Sequence, residues 1–548
     1  MKKILLTFLF LLGFTSFAQQ QTATYSVSPA AFEETTSITV TINGSSINEA
    51  TWGVTGNALY MWAWAFDLGG VNQKGTPLNG TWNNSDEASK FTYNQANDTY
   101  TKTFTPTTYY NTTGIGKIGF LIKAKDGTGD KKSQDILVEV GSFQVNLTAP
   151  IQNSATILNS GSDFTITATN TNGNASYNLK SNGVSINSNA STSSYSFTQS
   201  NITSNQNYEL VVLQGTTTIT KKFSVIVNPG ANEQAMPSNL VDGINYNSTD
   251  PTKATLVLDA PLKDFVYVAG SFNNWQPTTA FAMKKDATSG KFWLELTGLT
   301  SGTNYTYQYW VVETTPIANS PAMVKTADPY STLVLSPYDD PTIPAASYPN
   351  LPAYPTGQER EVTVLQTGQT PYAWSSATTN FVKPAKEKLV VYELLVRDFD
   401  ARRSYQAVID KLDYFKNLKI NAIQLMPVME FEGNESWGYN TAYHMALDKF
   451  YGSSDKLKEL IDKCHQNGIA VILDVALNHA FGRNPMLRMW MNDPDGDGWG
   501  SPSTENPYFN TVAKHSYSVG EDFNHQQART QNYTKRVVKH WIEEFKID

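Results

Sequence analysis

Cysteine is almost absent from this sequence. Cys464 is the single one in 548 residues, so no disulfide can form within the chain, and packed cores or bound metal must hold the fold. Charge is also sparse. Asp, Glu, Lys and Arg make up 16% of the chain, against roughly a quarter in ordinary soluble domains. Nor is there a basic excess: the net charge is −8 and no stretch gathers Lys and Arg, which excludes nucleic acid as the natural partner. Long apolar runs are missing too. Ile4–Phe14 is well short of the ~20 residues that cross a bilayer, so no transmembrane segment is expected. Ser, Thr and Asn fill the vacated space, mostly before residue 240. Aromatic residues reach 12%, with 12 Trp, 28 Tyr and 26 Phe. Flat rings stack on sugar faces, and β-rich cores also consume them.

The first 18 residues have a basic start (Lys2, Lys3), the apolar run, and a small residue, Ala18, ahead of Gln19. This is the pattern of a secretory signal peptide. No cysteine follows it to carry a lipid anchor, so a secreted or cell-surface protein is expected. The length predicts about three to five domains.

Residues 22–147 read as a β-sandwich module. Ser37–Ile42 alternates as a strand does. In a second strand Tyr60, Trp62, Trp64 and Phe66 share one face, with Met61, Ala63 and Ala65 on the other. The aromatic row is either a glycan-stacking platform or the core face of the sandwich, and Trp82, in a polar loop, is a further stacking candidate. Residues 148–228 carry short alternating runs (Phe164–Ala168, Tyr195–Phe197, Tyr208–Leu213, Phe223–Val227) at the spacing of an immunoglobulin-like sandwich. Asn228–Ser238, with two Pro and a Gly, is a linker.

Residues 240–340 form a third β-module. Val266–Ser271 ends in a turn with Trp275, followed by Met283, Gly290, Trp293, Gly302, Tyr305, Tyr307 and Tyr309, and then Ala327-Asp328-Pro329-Tyr330. This order resembles the carbohydrate-binding module of family 48, found ahead of the barrel in starch-branching and debranching enzymes. The resemblance leaves Trp275 and Trp293 either structural or sugar-binding. Five Pro within residues 341–358 make a semi-rigid connector, and residues 341–385 are read as linker.

From residue 386 the pattern changes to alternating β and α, the grammar of a parallel sheet or barrel. Leu389–Val396 reads as a strand. Ser404–Leu418 is a helix with Val408, Leu412, Phe415 and Leu418 on one face. Ile420–Met426 is a second strand, stopped by Pro427. Ser454–Asn467 is a helix, capped by Ser453 or Ser454 and ended by Gly468, with Leu457, Leu460, Ile461 and Cys464 inward. Cys464 is thus read as a buried structural thiol. Ile469–Leu473 is a continuous apolar run that suits a strand buried on both faces, and it delivers Asp474, Asn478 and His479 at its C-terminal end, where α/β barrels place their active sites. Thr534–Lys546 is a helix with Val537, Val538, Trp541 and Phe545 inward, and Ile547 opens a fourth strand.

Four motifs follow one another here: Tyr392–Phe399; Trp437-Gly438-Tyr439-Asn440 with Tyr451-Gly452; Asp474–His479; and Asp522-Phe523-Asn524-His525. Together they resemble the N-terminal half of the catalytic barrel of glycoside hydrolase family 13, the α-amylase family, over roughly 160 residues. The fold expected is therefore multidomain, with N-terminal β-sandwich modules followed by an incomplete (β/α)8 TIM barrel over residues 386–548. The resemblance implies that Tyr439 stacks under the sugar at the reacting subsite, that His479 hydrogen-bonds that sugar, and that Asp474 braces the site. It implies structural calcium at Asn478, with Asp522 as a second ligand. A separate calcium candidate is Asp493, Asp495 and Asp497, three carboxylates spaced two apart and followed by Gly498. The closing glutamate of an EF-hand is missing, since Thr504 stands there, and a solvated acidic turn is the alternative.

The family's nucleophilic Asp ends the fourth strand, and its acid/base Glu follows the fifth. Asp548 precedes the first of these positions, so the expectation is a chain that carries half of the barrel and lacks the catalytic carboxylates. The function expected of the intact protein is retaining hydrolysis of an α-glucan polysaccharide or oligosaccharide such as starch, maltooligosaccharide or pullulan. The alternatives are a non-catalytic starch-binding protein and, within the enzyme class, α-1,6 debranching.

Overall fold

A computed structural model describes residues 20–68, 73–128, 131–150, 155–494, 496–516 and 519–548. The signal-peptide stretch lies outside the described residues. The chain forms two compact units, one built mainly from residues up to Ile226 and the other from Val227 to Asp548.

The first unit begins with two antiparallel sheets. One orders strands Tyr25–Ser28, Ile38–Asn43, Thr99–Phe104 and Thr92–Asn94; the other orders Ile136–Glu139, Ile115–Lys123, Tyr60–Asp67 and Gln73–Gly75. Ile38, Val40 and Ile42 share one core with Met61, Ala63, Ala65, Ile118, Phe120 and Ile122. The aromatic row of the central strand is therefore on the face turned away from this core. There Trp64 lies over Gly119 of the neighbouring strand, where a Cβ would fall 2.2 Å from the indole nitrogen. Tyr60 donates to Glu87 over 2.8 Å. Trp82 is half-buried, edge-on to Trp62 at 5.1 Å, and its N–H donates to the Gly127 carbonyl at 3.0 Å. The same unit continues with strands Val145–Ala149, Ser162–Asn170 and Ser194–Ile202 in one sheet, and Thr217–Asn228, Gln206–Gln214, Ala175–Ser181 and Val184–Thr192 in another. Alternate residues of the inner strands are buried, among them Phe164, Ile166, Tyr208, Leu210 and Val212, as the period of a half-buried strand requires, while Val184–Thr192 has no buried residue.

The second unit opens with a sheet ordered Gly243–Tyr246, Ala254–Leu258, Phe292–Leu296 and Lys284–Lys285, and a second ordered Phe265–Gly270, Tyr305–Val312, Val362–Leu365 and Val334–Leu335. Val362–Leu365 corrects the reading of residues 341–385 as linker. Its Val-Thr-Val-Leu run follows the prolines, pairs with Tyr305–Tyr307, and is buried throughout. Trp293 is buried, with its N–H on the Gln234 carbonyl at 2.9 Å, so its place is structural. Trp275 is half-buried against Leu335, Val362 and Val364. Asp328 is fully buried and accepts from the hydroxyls of Tyr307 and Tyr309 at 2.9 and 2.8 Å.

One continuous apolar core runs from Leu256, Val268 and Tyr309 of these sheets to Leu394, Ile423, Val471, Trp490 and Trp541. The last group belongs to a parallel sheet of Val391–Leu394, Ala422–Leu425 and Ala470–Leu473, and to the elements packed on it. In register, Tyr392, Ile423 and Val471 face the helices, as do Leu394, Leu425 and Leu473. The pleat turns Glu393, Gln424 and Ile472 to the opposite face. The helix Ser454–Gln466 is capped by the Ser453 side chain, and Cys464 is fully buried in it. The helix expected over 404–418 is two pieces, Tyr405–Ile409 and Leu412–Asn417; between them Lys411 N–H bonds back three residues to Val408, which tightens the turn and ends the α pattern. The last helix is Ala528–Phe545 and starts earlier than its apolar stripe indicates, because its first turn is largely polar. Beyond it the Asp548 amide donates to the Val471 carbonyl at 3.0 Å, so Ile547-Asp548 runs beside the third parallel strand. No helix among the described residues is long and apolar enough to cross a membrane.

Candidate active site

The site lies where the parallel strands end. Pro427 stops the second strand, and the hairpin Met429–Phe431 with Thr441–Leu447 carries Trp437-Gly438-Tyr439-Asn440 at its tip. Gly438 has φ +90, and a Cβ there would fall 2.5 Å from the Pro427 carbonyl oxygen. Only glycine fits this close approach of two backbones, and it sets the direction of Tyr439.

The Tyr439 hydroxyl donates to Asp474 Oδ2 at 2.6 Å. That bond, with burial and the charges of Asp474 and Glu393, pushes the phenol up to about 12. The main chain of Tyr439 meets the third member of the group: its carbonyl lies 2.5 Å from His479 Nε2. His479 Nδ1 lies 3.0 Å from Asn478 Oδ1, and the ring is buried. Tyr439, Asp474 and His479 thus lie together. Both ring nitrogens of His479 are, however, already occupied within the protein, so a hydrogen bond to a sugar requires the Tyr439 contact to open.

Three polar side chains around the site escaped the sequence reading. His444 is fully buried. Its Nδ1 accepts from the Tyr533 hydroxyl at 3.2 Å, so its Nε2 donates to the His479 carbonyl, also at 3.2 Å; burial pushes its pKa down to about 4. A single histidine in the otherwise apolar run Thr441–Leu447 was the available signal. Glu393 and Gln424 lie on neighbouring strands, 3.5 Å apart, on the same face that leads to Asp474. Strand alternation alone could have placed them there.

The calcium candidates are committed to other partners. Asp522 Oδ2 accepts from Asn510 Nδ2 at 2.8 Å and the Lys514 amide at 3.1 Å, and Oδ1 faces His515 Nε2 at 3.1 Å. Asn478 lies beside it, its carbonyl accepting from the Phe523 amide. One carboxylate and one side-chain amide fit a hard cation in kind, but not in number, against the six to eight oxygens calcium takes. Asp493 closes its own loop by accepting from the amides of Gly496 and Gly498 at 2.9 and 3.0 Å, and Asp497 accepts from Trp499 N–H at 2.8 Å. Asp495 lies outside the described residues. Among the described residues no three His, Cys, Asp or Glu side chains gather as a metal-holding group.

A family model aligns over this same region. Residues 398–484 match the family model described as the alpha amylase catalytic domain. The chain is 34% identical over 173 residues to the malto-oligosyltrehalose trehalohydrolase of Saccharolobus solfataricus, a match spanning 31% of this chain and 28% of that protein. It is 32% identical over 155 residues to the cyclomaltodextrinase of Thermoanaerobacter pseudethanolicus, 26% of each chain. Among solved structures, the Group B Streptococcus pullulanase SAP in complex with maltotetraose aligns with a TM-score of 0.42 at 19% identity, covering 73% of this chain and 53% of that one. The chain spans less than a third of the length of these curated relatives.

Proposed function

We propose that this protein is an exported glycoside hydrolase of the α-amylase family acting on α-glucans, with retention by double displacement. The observation that carries the proposal is the direct contact of Tyr439 with both Asp474 and His479 at the ends of the parallel strands, inside the stretch that matches the amylase catalytic domain. A tyrosine ring held by a carboxylate at its hydroxyl offers a fixed flat face to a pyranose. A histidine beside it is placed to bond a sugar hydroxyl once it leaves the Tyr439 carbonyl. Retaining hydrolysis needs a nucleophilic carboxylate and an acid/base carboxylate about 5–5.5 Å apart. The proposal assigns neither role to a described residue, because Asp474 is committed to Tyr439. Residues 240–340 are read as a module of the family-48 carbohydrate-binding type, and export rests on the pattern of residues 1–18.

A second reading, glycan binding without cleavage, is favoured by the occupied ring nitrogens of His479. Incubation of the intact, full-length protein with maltoheptaose and with pullulan, following reducing ends and the anomer first released, separates the two. Release of the α-anomer supports the enzyme, and the substrate cleaved distinguishes α-1,4 from α-1,6 specificity. Binding without release supports the second reading. Neither binding nor release sinks both.

A further inference from the structure

Tyr338 and Trp499 come from distant parts of the chain and form an aromatic pair, with ring centroids 6.4 Å apart and planes inclined at 53°. Tyr338 is 47% exposed and Trp499 is half-buried. Each ring has a guanidinium against it. The Arg360 guanidinium lies 4.1 Å from the Trp499 centroid, with that of Arg488 at 5.7 Å; Arg483 lies 4.7 Å from the Tyr338 centroid. Such contacts stabilise by about 0.5–2 kcal/mol each, and here they hold two large apolar side chains at the surface in one orientation.

The arginines themselves are spoken for. Arg360 donates to the carbonyls of Asp497 and Gly498 at 3.1 and 3.2 Å, and Arg488 donates to Gly498 at 2.9 Å. Arg483 pairs with Asp339 and lies 3.5 Å from Glu361. Gly498 adopts φ +83, a conformation that favours glycine. Of the three, only Arg483 has carboxylate partners among the described residues, and main-chain carbonyls hold Arg360 and Arg488 against the Trp499 ring rather than free to close on a charged ligand. What remains on offer is aromatic surface for a neutral one.

A relay of contacts links this pair to the candidate site. A Cβ at Gly482 would lie 3.3 Å from the Trp499 ring and 3.8 Å from Glu432 Oε1. Glu432 accepts from the Arg483 amide at 2.8 Å through its side chain, and from Asn440 Nδ2 at 2.6 Å through its carbonyl. Asn440 is the neighbour of Tyr439. We propose that Tyr338 and Trp499 form an outer sugar-binding subsite, which takes glucose units of an α-glucan chain lying beyond the unit stacked on Tyr439. The inference rests on the proposed function and adds to it a preference for long chains, built jointly by the segment before the parallel sheet and the loop after its third strand.

Calorimetric titration of the full chain with maltotriose and with maltoheptaose tests this. Trp499→Ala and Tyr338→Ala should each weaken maltoheptaose binding about tenfold, the loss of roughly one stacked ring, and leave maltotriose binding unchanged. Tyr439→Ala should weaken both. Trp499→Phe should restore most of the long-chain affinity, and it carries the test if Trp499→Ala does not fold by circular dichroism. Equal losses for both sugars, or no loss for either, overturn the subsite while leaving the proposed function standing. A wild-type chain that binds neither sugar overturns the proposed function and the subsite with it.

Discussion

The hydroxyl of Tyr439 sits 2.6 Å from Asp474, so the carboxylate at the end of the third parallel strand holds a ring contributed by the hairpin after the second. The bond is charge-assisted, a kind that contributes about 1.5–3 kcal/mol. Asp474→Ala is expected to release the ring and weaken maltoheptaose binding about tenfold or more. Asp474→Asn keeps one acceptor oxygen and should lose less. Titration calorimetry of both variants checks the order, and equal affinities for the two would show that the bond does not position the ring.

His444 gives the fold an acid-sensitive point behind the site. Its folded pKa, about 4, is below the ordinary 6.5 because burial disfavours the imidazolium. The neutral ring's contribution is complete above 6.5 and is lost as pH falls through 4, a change of about 3 kcal/mol. Urea unfolding at pH 7 and pH 4 should show a larger loss for the wild type than for His444→Gln. Parallel losses would refute the assignment.

Asp328 has the opposite sign. Burial raises its carboxyl to about 6, against 3.8 ordinarily, in spite of the Tyr307 and Tyr309 hydroxyls and the Tyr330 amide that stabilise the anion. Its contribution is complete below the unfolded value and is lost as pH rises through 6, again about 3 kcal/mol. Relative to Asp328→Asn, the wild type should therefore gain stability between pH 7 and pH 4. A constant difference between the two proteins across that range would rule this out.

Lys449 is buried against Glu430 and lies 3.3 Å from Asp340. Burial raises Glu430 to about 7, and Lys449 is the largest influence opposing that rise. Lys449→Met leaves these carboxylates without their cation and should destabilise by about 3–5 kcal/mol. Glu430→Gln should cost less, because Lys449 keeps Asp340 as a charged partner. Chemical denaturation of the two variants gives the comparison, and a larger loss for Glu430→Gln would contradict it.

Several features are legible in the amino-acid order alone. The apolar stripes of Leu457, Leu460, Ile461 and Cys464, and of Val537, Trp541 and Phe545, mark the helix faces that are buried, although Val538, read with the second of these, is exposed. The run Ile469–Leu473 marks the third strand, and the motif order brings Tyr439, Asp474 and His479 together. The row Tyr60, Trp62, Trp64 and Phe66 is legible only in part. Alternation says that these four side chains share a face; it does not say which face a second sheet covers. Residues 341–385 hide a strand because the prolines ahead of Val362–Leu365 carry the stronger local signal.

The sequence by itself determined which side chains share a face and which polar groups arrive at a strand end, since these follow from periods of 2 and 3.6 residues. Tertiary structure alone decided the partners. Arg483 meets Asp339 across 144 positions, Tyr533 meets His444 across 89, and the His479 ring turns to the Tyr439 carbonyl 40 positions away. A buried polar group must find a partner, but many donors and acceptors along the chain satisfy that demand equally well. Which of them does so is set by how sheets and helices pack, and no local pattern encodes that choice.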